Sequence, residues 1–434
     1  MQAGVEAAAI FAVEDAIGHY EQARALLHEH QRLQTGLPAS EVERLYAHLG
    51  RAYANQNAWE KAQAAYEELL AYAQQKPLPT LVSLTLNRLA ILAVQQSNDK
   101  PKVRALLEEA WRLAETSHDQ RVLAETEWNL AQITADVWGD PKSALPHGQH
   151  ALALAQGIHD QELEARCLAM LGLIYSYSGD FQEAMHCEEA SLALYADLGH
   201  EPTASQELSV AHFLSGSPPT QPLTNRASEA LCWAFLSLAQ VHVGQVQSSI
   251  RSGRRALALS QEIKNVWVQV ISTLCFAQGL LDAGAYEEAL VLTQQTVALA
   301  RTLPPAINFQ VLLATLGSAY QAVQQWEEAR STLEEAEVVA ERLDLGPMRV
   351  LPLSRLCMYY AEAGEWEAAY HYALKASTVR KRSDVTLIVF DFSRQYETEA
   401  LLSGGDESQA RAEVQRLGER LGPYRRFRLP YLRS

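Results

Sequence analysis

The feature that most constrains this chain is a spacing. A large apolar residue followed by a small one occurs at Leu49-Gly50, Leu89-Ala90, Leu130-Ala131, Leu171-Gly172, Leu236-Ser237, Phe276-Ala277, Leu316-Gly317 and Leu356-Cys357. The second members lie 40, 41, 41, 65, 40, 40 and 40 positions apart, and a weaker ninth repeat follows 41 residues later at Thr398. Twelve residues after each of seven of these positions comes another small residue: Ala62, Ala184, Ser249, Ala289, Ala329, Ala369 and Ala410. Between the two often lies a glycine, namely Gly179, Gly244, Gly284, Gly364 or Gly405. A helix breaker flanked on both sides by apolar residues of 3.6-residue period predicts a helical hairpin. Hairpins recurring at a fixed period of this length predict a solenoid, in which each repeat buries the face of its neighbour.

The small residues have a steric purpose. Antiparallel helices approach closely only where side chains are short, so each hairpin needs a small residue on both helices where they cross. Leu49, Tyr53 and Tyr66 then fill the space beside one crossing, and Leu316, Tyr320 and Leu333 beside another. Aromatic residues just after the turn (Trp59, Phe181, Tyr286, Trp326, Trp366) are expected to cover the hairpin tips. Alanine, leucine, glutamate and glutamine dominate the sequence, and all four favour helices. Hydrophobic residues make up 48 % of it, enough to furnish a core. The expected fold is therefore all-α, an α-α superhelix of about nine 40-residue hairpins plus a partial N-terminal repeat.

The order of large residue, small residue, Tyr three positions on, then Ala and aromatic residues in the second helix resembles the tetratricopeptide repeat (TPR). Trp59-Glu60-Lys61-Ala62 and Trp326-Glu327-Glu328-Ala329 are close to the opening of its second helix. Here the period is about 40 where the ordinary TPR repeats at about 34. The extra turn and a half lies at the end of the second helix, as in Ala151-Leu152-Ala153-Leu154-Ala155 running on to Asp160, and in Ala256-Leu257-Ala258-Leu259 running on to Asn265. This lengthened form resembles the TPR-like sensor regions of MalT-like and antibiotic-regulatory-type bacterial signal-transduction ATPases and transcriptional activators. The resemblance implies a non-catalytic binding or sensor module within a larger regulator. The alternative is a free-standing protein–protein interaction adaptor.

Domain organisation follows the repeats. Residues 1–40 read as a partial first repeat: Ala16, Tyr20 and Ala23 look like a second helix, while Val5, Ile10 and Phe11 begin the chain without a polar capping helix. The expectation is a segment cut from a longer protein. Residues 41–200 and 229–421 are TPR-like repeats. Between them, residues 201–228 form a Pro- and Ser-rich insertion with a short helix near Ala204–Leu214 and a loop, a candidate lid or a plain surface insertion. Residues 422–434 form a basic tail carrying Arg425, Arg426, Arg428 and Arg433.

Charge and motifs exclude several functions. A formal net charge of -16 disfavours direct binding to nucleic acid. Five cysteines at wide spacing, without a CxxC pair or a secretory signal, predict free thiols in a cytoplasmic protein. No apolar stretch is long enough for a membrane span. There is no phosphate-binding GxxxxGK[ST] loop, no GxSxG elbow and no HExxH pair, so no catalytic residue, cofactor or metal is expected. His28-Glu29-His30 has the wrong spacing for a metal site. Ala47, Arg51, Asn87, Arg88, Trp128 and Asn129 do not form the Lys/Asn carboxylate clamp of chaperone-binding TPRs.

The expected partner is a peptide, a protein or a small effector, held by the first helices, which line the concave face of a TPR superhelix. In the fourth to sixth repeats helical spacing puts Arg166, Met170, Leu173 and Tyr177, then Phe235, Leu238 and His242, then Leu274, Gln278 and Leu281 on that face. They are more apolar than a solvated surface, as a binding groove is. Burial against one another under tight winding would explain them as well. Earlier repeats offer a more polar face with Arg44, His48, Arg51, Arg88, Glu125, Asn129 and Gln132.

Overall fold

The computed structural model describes residues 2–4, 13–32, 37–56, 58–96, 99–198, 225–302, 307–342, 346–383 and 394–421. Among them there is no β-strand, and helices follow one another in hairpins. Helix α1 (Val13–Arg32) precedes α2 (Ala39–Asn55) and α3 (Trp59–Gln75), α4 (Pro79–Gln96) and α5 (Lys100–Ser117), α6 (Gln120–Gln132) and α7 (Pro141–Gly157), and α8 (Gln161–Ser178) and α9 (Phe181–Leu198). Then come α10 (Asn225–His242) and α11 (Val246–Glu262), α12 (Val266–Asp282) and α13 (Tyr286–Ala300), α14 (Ile307–Ala322) and α15 (Trp326–Arg342), α16 (Val350–Glu362) and α17 (Trp366–Ser383), and α18 (Arg394–Ser403) and α19 (Glu407–Leu421). The short helix proposed at Ala204–Leu214, the basic tail from residue 422, and Val5, Ile10 and Phe11 lie outside the described residues.

The chain divides into two compact units. One holds Met1–Leu130, His147–Glu164 and His200–Asn225, and the other Ala131–Pro146, Ala165–Gly199 and Arg226–Ser434. In the first, Tyr20, Leu49, Tyr66 and Leu69 form the centre of the core. In the second the largest cluster gathers Leu312, Leu333, Leu356 and the buried alanines of α15 and α17.

The hairpin turns are built alike. Gly179, Gly244, Gly284, Gly364 and Gly405 all have φ between 77° and 86°, the left-handed region where a side chain is strained. Each is followed by an N–H that reaches back five residues, as from Asp180 to Tyr175 O at 2.9 Å and from Glu365 to Tyr360 O at 2.8 Å, which closes the helix end. The α14–α15 turn puts Gln324 in the same conformation, with φ 62°. Between hairpins, His118, His159 and Lys264 adopt it, and the next residue caps the following helix: Asp119, Asp160 and Asn265 accept N–H bonds from Val122, Leu163 and Val268 at 3.1–3.2 Å.

The crossings obey one register. A Cβ placed on Gly317 would lie 2.6 Å from Leu333 of the second helix, and at Gly50 and Gly172 it would fall closer still to Tyr66 and Glu188. In each case the obstructing residue is 16 positions on, four beyond the small residue of the second helix, and Ala62, Ala184 and Ala329 are wholly buried. The same step joins Gly4 to Tyr20, so the partial N-terminal repeat follows the common geometry through a glycine that the sequence pattern did not single out. The aromatic residues after the turns do not behave alike. Phe181 is fully buried, whereas Tyr286, Trp326 and Trp366 each keep about 40 % of their surface in solvent.

Glu188 is the exception in this register. It stands where other repeats place Tyr66 or Leu333, is wholly buried, and neither carboxyl oxygen has a hydrogen-bonding partner of good geometry. Burial drives its pKa well above the ordinary value of 4.5, opposed only by the nearby Cys232 thiol. A raised carboxyl pKa means that the folded state holds the proton more tightly. Its stabilising contribution is complete below pH 4.5 and declines as pH climbs toward the folded pKa.

Two predictions follow from this register. Gly317→Leu is expected to cost about 1–3 kcal/mol in urea unfolding through overpacking. Gly157→Ala, where nothing lies within 4 Å of the new Cβ, serves as the neutral control. Glu188→Leu is expected to gain stability relative to the parent as pH rises from 4 to 8. Equal stability differences at the two pH values would show that the carboxyl is not confined as described.

Candidate functional site

In the second compact unit, α8, α10 and α12 carry the residues expected to meet a ligand. Tyr177, Phe235, Leu238, Leu274, Gln278 and Leu281 are half-buried. Phe235 and Leu238 lie against Trp267, Ile271 and Cys275, and Leu238 and Tyr177 flank Phe181 and Ala239. Leu274 and Leu281 border the large α12–α18 core. Gln278 turns away to donate to Asp282 Oδ1 at 2.9 Å. Arg166, Met170 and Leu173 retain only 6–8 % exposure.

His242 departs from the expectation. It has no exposed surface, stacks on Phe181 at 4.2 Å between ring centroids, and places Nδ1 2.7 Å from Leu238 O. The reason is its place two residues before the turn glycine Gly244, where its ring meets Phe181 of α9. It belongs to the core and offers no surface to a ligand.

Tyr177 belongs to a polar contact that the sequence did not reveal. Helix α6 runs into a π-helical turn, Ile133–Val137, and such turns concentrate at functional positions. Asp136 in this turn accepts the Tyr177 hydroxyl at 3.0 Å. Desolvation pushes its carboxyl up to about 6, although hydrogen bonds from Tyr177 and Gln132 pull the other way.

The first unit holds a more polar arrangement on its first helices α2, α4 and α6. Asn87 donates to Thr126 Oγ1 at 2.9 Å and to Ser83 O at 3.0 Å, and its own oxygen accepts Asn129 Nδ2 at 3.0 Å. Arg88 pairs with Glu43 at 2.9 Å. His48 lies stacked near Tyr20, with Nδ1 3.1 Å from Arg51 Nη2. Burial, reinforced by the charges of Arg51, Arg44 and Arg88, lowers the His48 pKa to about 3, so the ring is neutral. Three buried atoms in this layer have no hydrogen-bond partner: His48 Nε2, Arg88 Nη1 and Asn129 Oδ1. The sequence marked these residues as polar but gave no sign that they interlock across helices. The cue lay in asparagines about one repeat apart, Asn87 and Asn129, on the more polar face of these first helices.

All five cysteines are buried, and none is joined to another in a disulfide. Burial and neighbouring carboxylates push the Cys187 thiol up to about 12 and raise those of Cys232, Cys275 and Cys357 well above their ordinary value, which keeps them protonated. Among the described residues, no three His, Cys, Asp or Glu side chains are grouped to hold a metal ion between them, and no helix is long and apolar enough to cross a membrane.

Comparison with known proteins agrees with the repeat. Tetratricopeptide-repeat family models match residues 45–80 and 122–197. Over 81 residues, 18 % of its length, the chain is 30 % identical to the human SH3 domain and tetratricopeptide repeat-containing protein 2, of which it spans only 6 %. Among solved structures it is similar to a Rap protein complexed with competence and sporulation factor. The TM-score is 0.60 at 12 % identity, over 90 % of this chain and 100 % of that one. The apo quorum sensor NprR from B. thuringiensis gives 0.55 at 13 % identity, over 86 % and 98 %. A Signal Transduction ATPase with Numerous Domains with a tetratricopeptide repeat sensor, from Pyrococcus horikoshii, gives 0.52 at 16 % identity, over 87 % of this chain and 54 % of that one. At these identities the structures establish a shared TPR-like helical fold.

Asp136 yields a pH prediction. Its folded pKa is raised, so its contribution to stability is full below its ordinary value of 3.8 and is lost as pH rises through about 6. Asp136→Asn, which keeps an acceptor for Tyr177, is expected to gain on the parent by roughly 3 kcal/mol between pH 3.5 and 7.5. Denaturant midpoints at the two pH values measure the gap, and a gap independent of pH would contradict it.

Proposed function

We propose that this chain is a non-catalytic binding module whose first unit holds an extended peptide against the first-helix face formed by α2, α4 and α6. The observation that carries this reading is the set of unsatisfied atoms in an otherwise interlocked layer. Buried polar groups without partners cost stability, and a binding site is one setting in which that cost is offset. The chemistry matches a peptide backbone: Nδ1 of the neutral His48 ring accepts from Arg51, so His48 Nε2 and Arg88 Nη1 donate to carbonyls, while Asn129 Oδ1 accepts an N–H. Arg44 and Arg88 are each paired with a glutamate, yet together with Arg51 they set a positive field at His48, so the favoured peptide carries an acidic group there.

We further propose that the module is the regulatory part of a larger bacterial signalling ATPase or transcriptional regulator. The supporting likeness is to a quorum sensor, a Rap protein in complex with a factor, and an ATPase with a TPR sensor. The alternative is a free-standing adaptor. A second contact surface is proposed in the other unit along Tyr177, Phe235, Leu238, Leu274 and Leu281, which keep accessible apolar area although packed on one side.

Panning a random octapeptide phage library against the full chain tests the reading. Selected peptides are expected to be enriched in Asp and Glu, and to lose at least tenfold in affinity on Arg88→Met or Asn129→Leu, with helicity by circular dichroism retained. Peptides that bind both variants like the parent, yet fail against the Tyr177→Ala/Phe235→Ala double variant, would move the site to the apolar surface.

A further inference from the structure

On α7, His147 and His150 lie three residues apart and therefore share a helix face. Both turn Nδ1 toward one carboxylate, Glu127 of α6: His147 Nδ1 lies 2.6 Å from Oε2 and His150 Nδ1 2.7 Å from Oε1. The Trp111 indole of α5 donates a third hydrogen bond to Oε1 at 2.6 Å. All four side chains belong to the first compact unit. Glu127 is buried, yet the two histidine side chains keep 39 % and 47 % of their surface.

The tautomers follow from this geometry. Three groups face the two oxygens of Glu127: the Trp111 N–H and the two Nδ1 atoms. A carboxylate oxygen accepts, so each Nδ1 facing it carries the hydrogen, and a neutral ring then bears its lone pair on Nε2. Nε2 lies across the ring from the carboxylate, in side chains that are partly open to solvent. Metal-bound histidines are held in this way, with the far N–H bonded to a carboxylate that fixes the tautomer and raises ligand basicity.

We infer that His147 and His150 form a surface site for a divalent transition metal such as Zn2+ or Cu2+. Their Nε2 atoms coordinate the metal, Glu127 acts as the orienting carboxylate rather than a ligand, and water fills the remaining positions. Imidazole nitrogen suits these ions, with Cu2+ bound more tightly than Zn2+. The site is distinct from the peptide-binding layer, because none of its residues belongs to the group around Asn87, Arg88 and His48.

Titration calorimetry of the full chain with ZnCl2 at pH 7.5, and electron paramagnetic resonance with one equivalent of CuCl2, test the inference. One saturable site is expected, with copper superhyperfine structure from two nitrogens. His147→Gln and His150→Gln are each expected to weaken Zn2+ binding by about tenfold or more, and Glu127→Gln by roughly 10–100-fold, with both histidines still present. Circular dichroism confirms folding, and the copper spectrum of the unaltered chain stands without any variant. A His147→Gln/His150→Gln double variant that binds as the parent does, a copper spectrum with fewer than two nitrogens, or a Glu127→Gln variant of undiminished affinity would each overturn it.

Discussion

Everything in this fold depends on two helix backbones coming close enough that one position in each repeat admits only a small side chain, and at some repeats none at all. At Gly50, Gly172 and Gly317 the residue 16 positions later occupies the space a side chain would take. That contact fixes the crossing point and, with the left-handed turn residue, the length of the turn. The rest of the hairpin is then a matter of filling: Tyr66, Leu69 and Leu333 are wholly or almost wholly buried beside the crossings. A repeat that loses its small residue must separate its helices, and the neighbour stacked on it loses the face it was shaped to cover. Selection for a small side chain at one position in 40 is thus selection on the geometry of the array.

This is why the architecture was so legible in the sequence. Steric exclusion acts on residue size at fixed spacing, and size and spacing are what a sequence displays directly. The positive-φ glycines announced the turns for the same reason, and Gln324 was hidden because its side chain tolerates that conformation without marking it. The caps Asp119, Asp160 and Asn265 stand at the end of the lengthened second helix. The sequence displayed Asp160 and Asn265 as the close of a motif, but their task is to start the next helix. Gly4 escaped notice because the breaker-and-spacing pattern around it is incomplete.

The binding surfaces were far less legible, because they depend on which side chain meets which across helices. Periodicity placed Tyr177, Phe235 and His242 on one face, but helical period alone does not distinguish an open face from one closed by the next helix. His242 sits close enough to the hairpin turn for Phe181 to cover it, while Phe235, two turns earlier, stays half-open. The Asn87–Asn129 ladder and the Asp136–Tyr177 pair join residues 42 and 41 positions apart; the asparagines stand at different offsets from the small residue of their repeats, whereas Asp136 and Tyr177 share one offset. No local rule selects such pairs. They arise from the stacking of repeats, and the sequence shows the residue types but not which of them meet.

Two glutamates show how the same side chain is given opposite states by that stacking. Glu188 fills an apolar position beside the Cys232 thiol, and desolvation raises its pKa well above the ordinary value, favouring the protonated form. Glu127 is nearly as enclosed but receives three donated hydrogen bonds and is held ionised. Burial acts against charge at both, so the number of donors decides the outcome. At Glu188 the neutral form fills space, and its proton is inaccessible to chemistry. At Glu127 the charge is stable, and its field and geometry extend to the surface through two imidazoles that would otherwise rotate freely. A repeat protein exposes few rigid polar constellations on the outside of its helices, because outward side chains usually touch only solvent. The carboxylate beneath His147 and His150 removes that freedom, and a fixed pair of nitrogen lone pairs at a protein surface is a coordination site in outline.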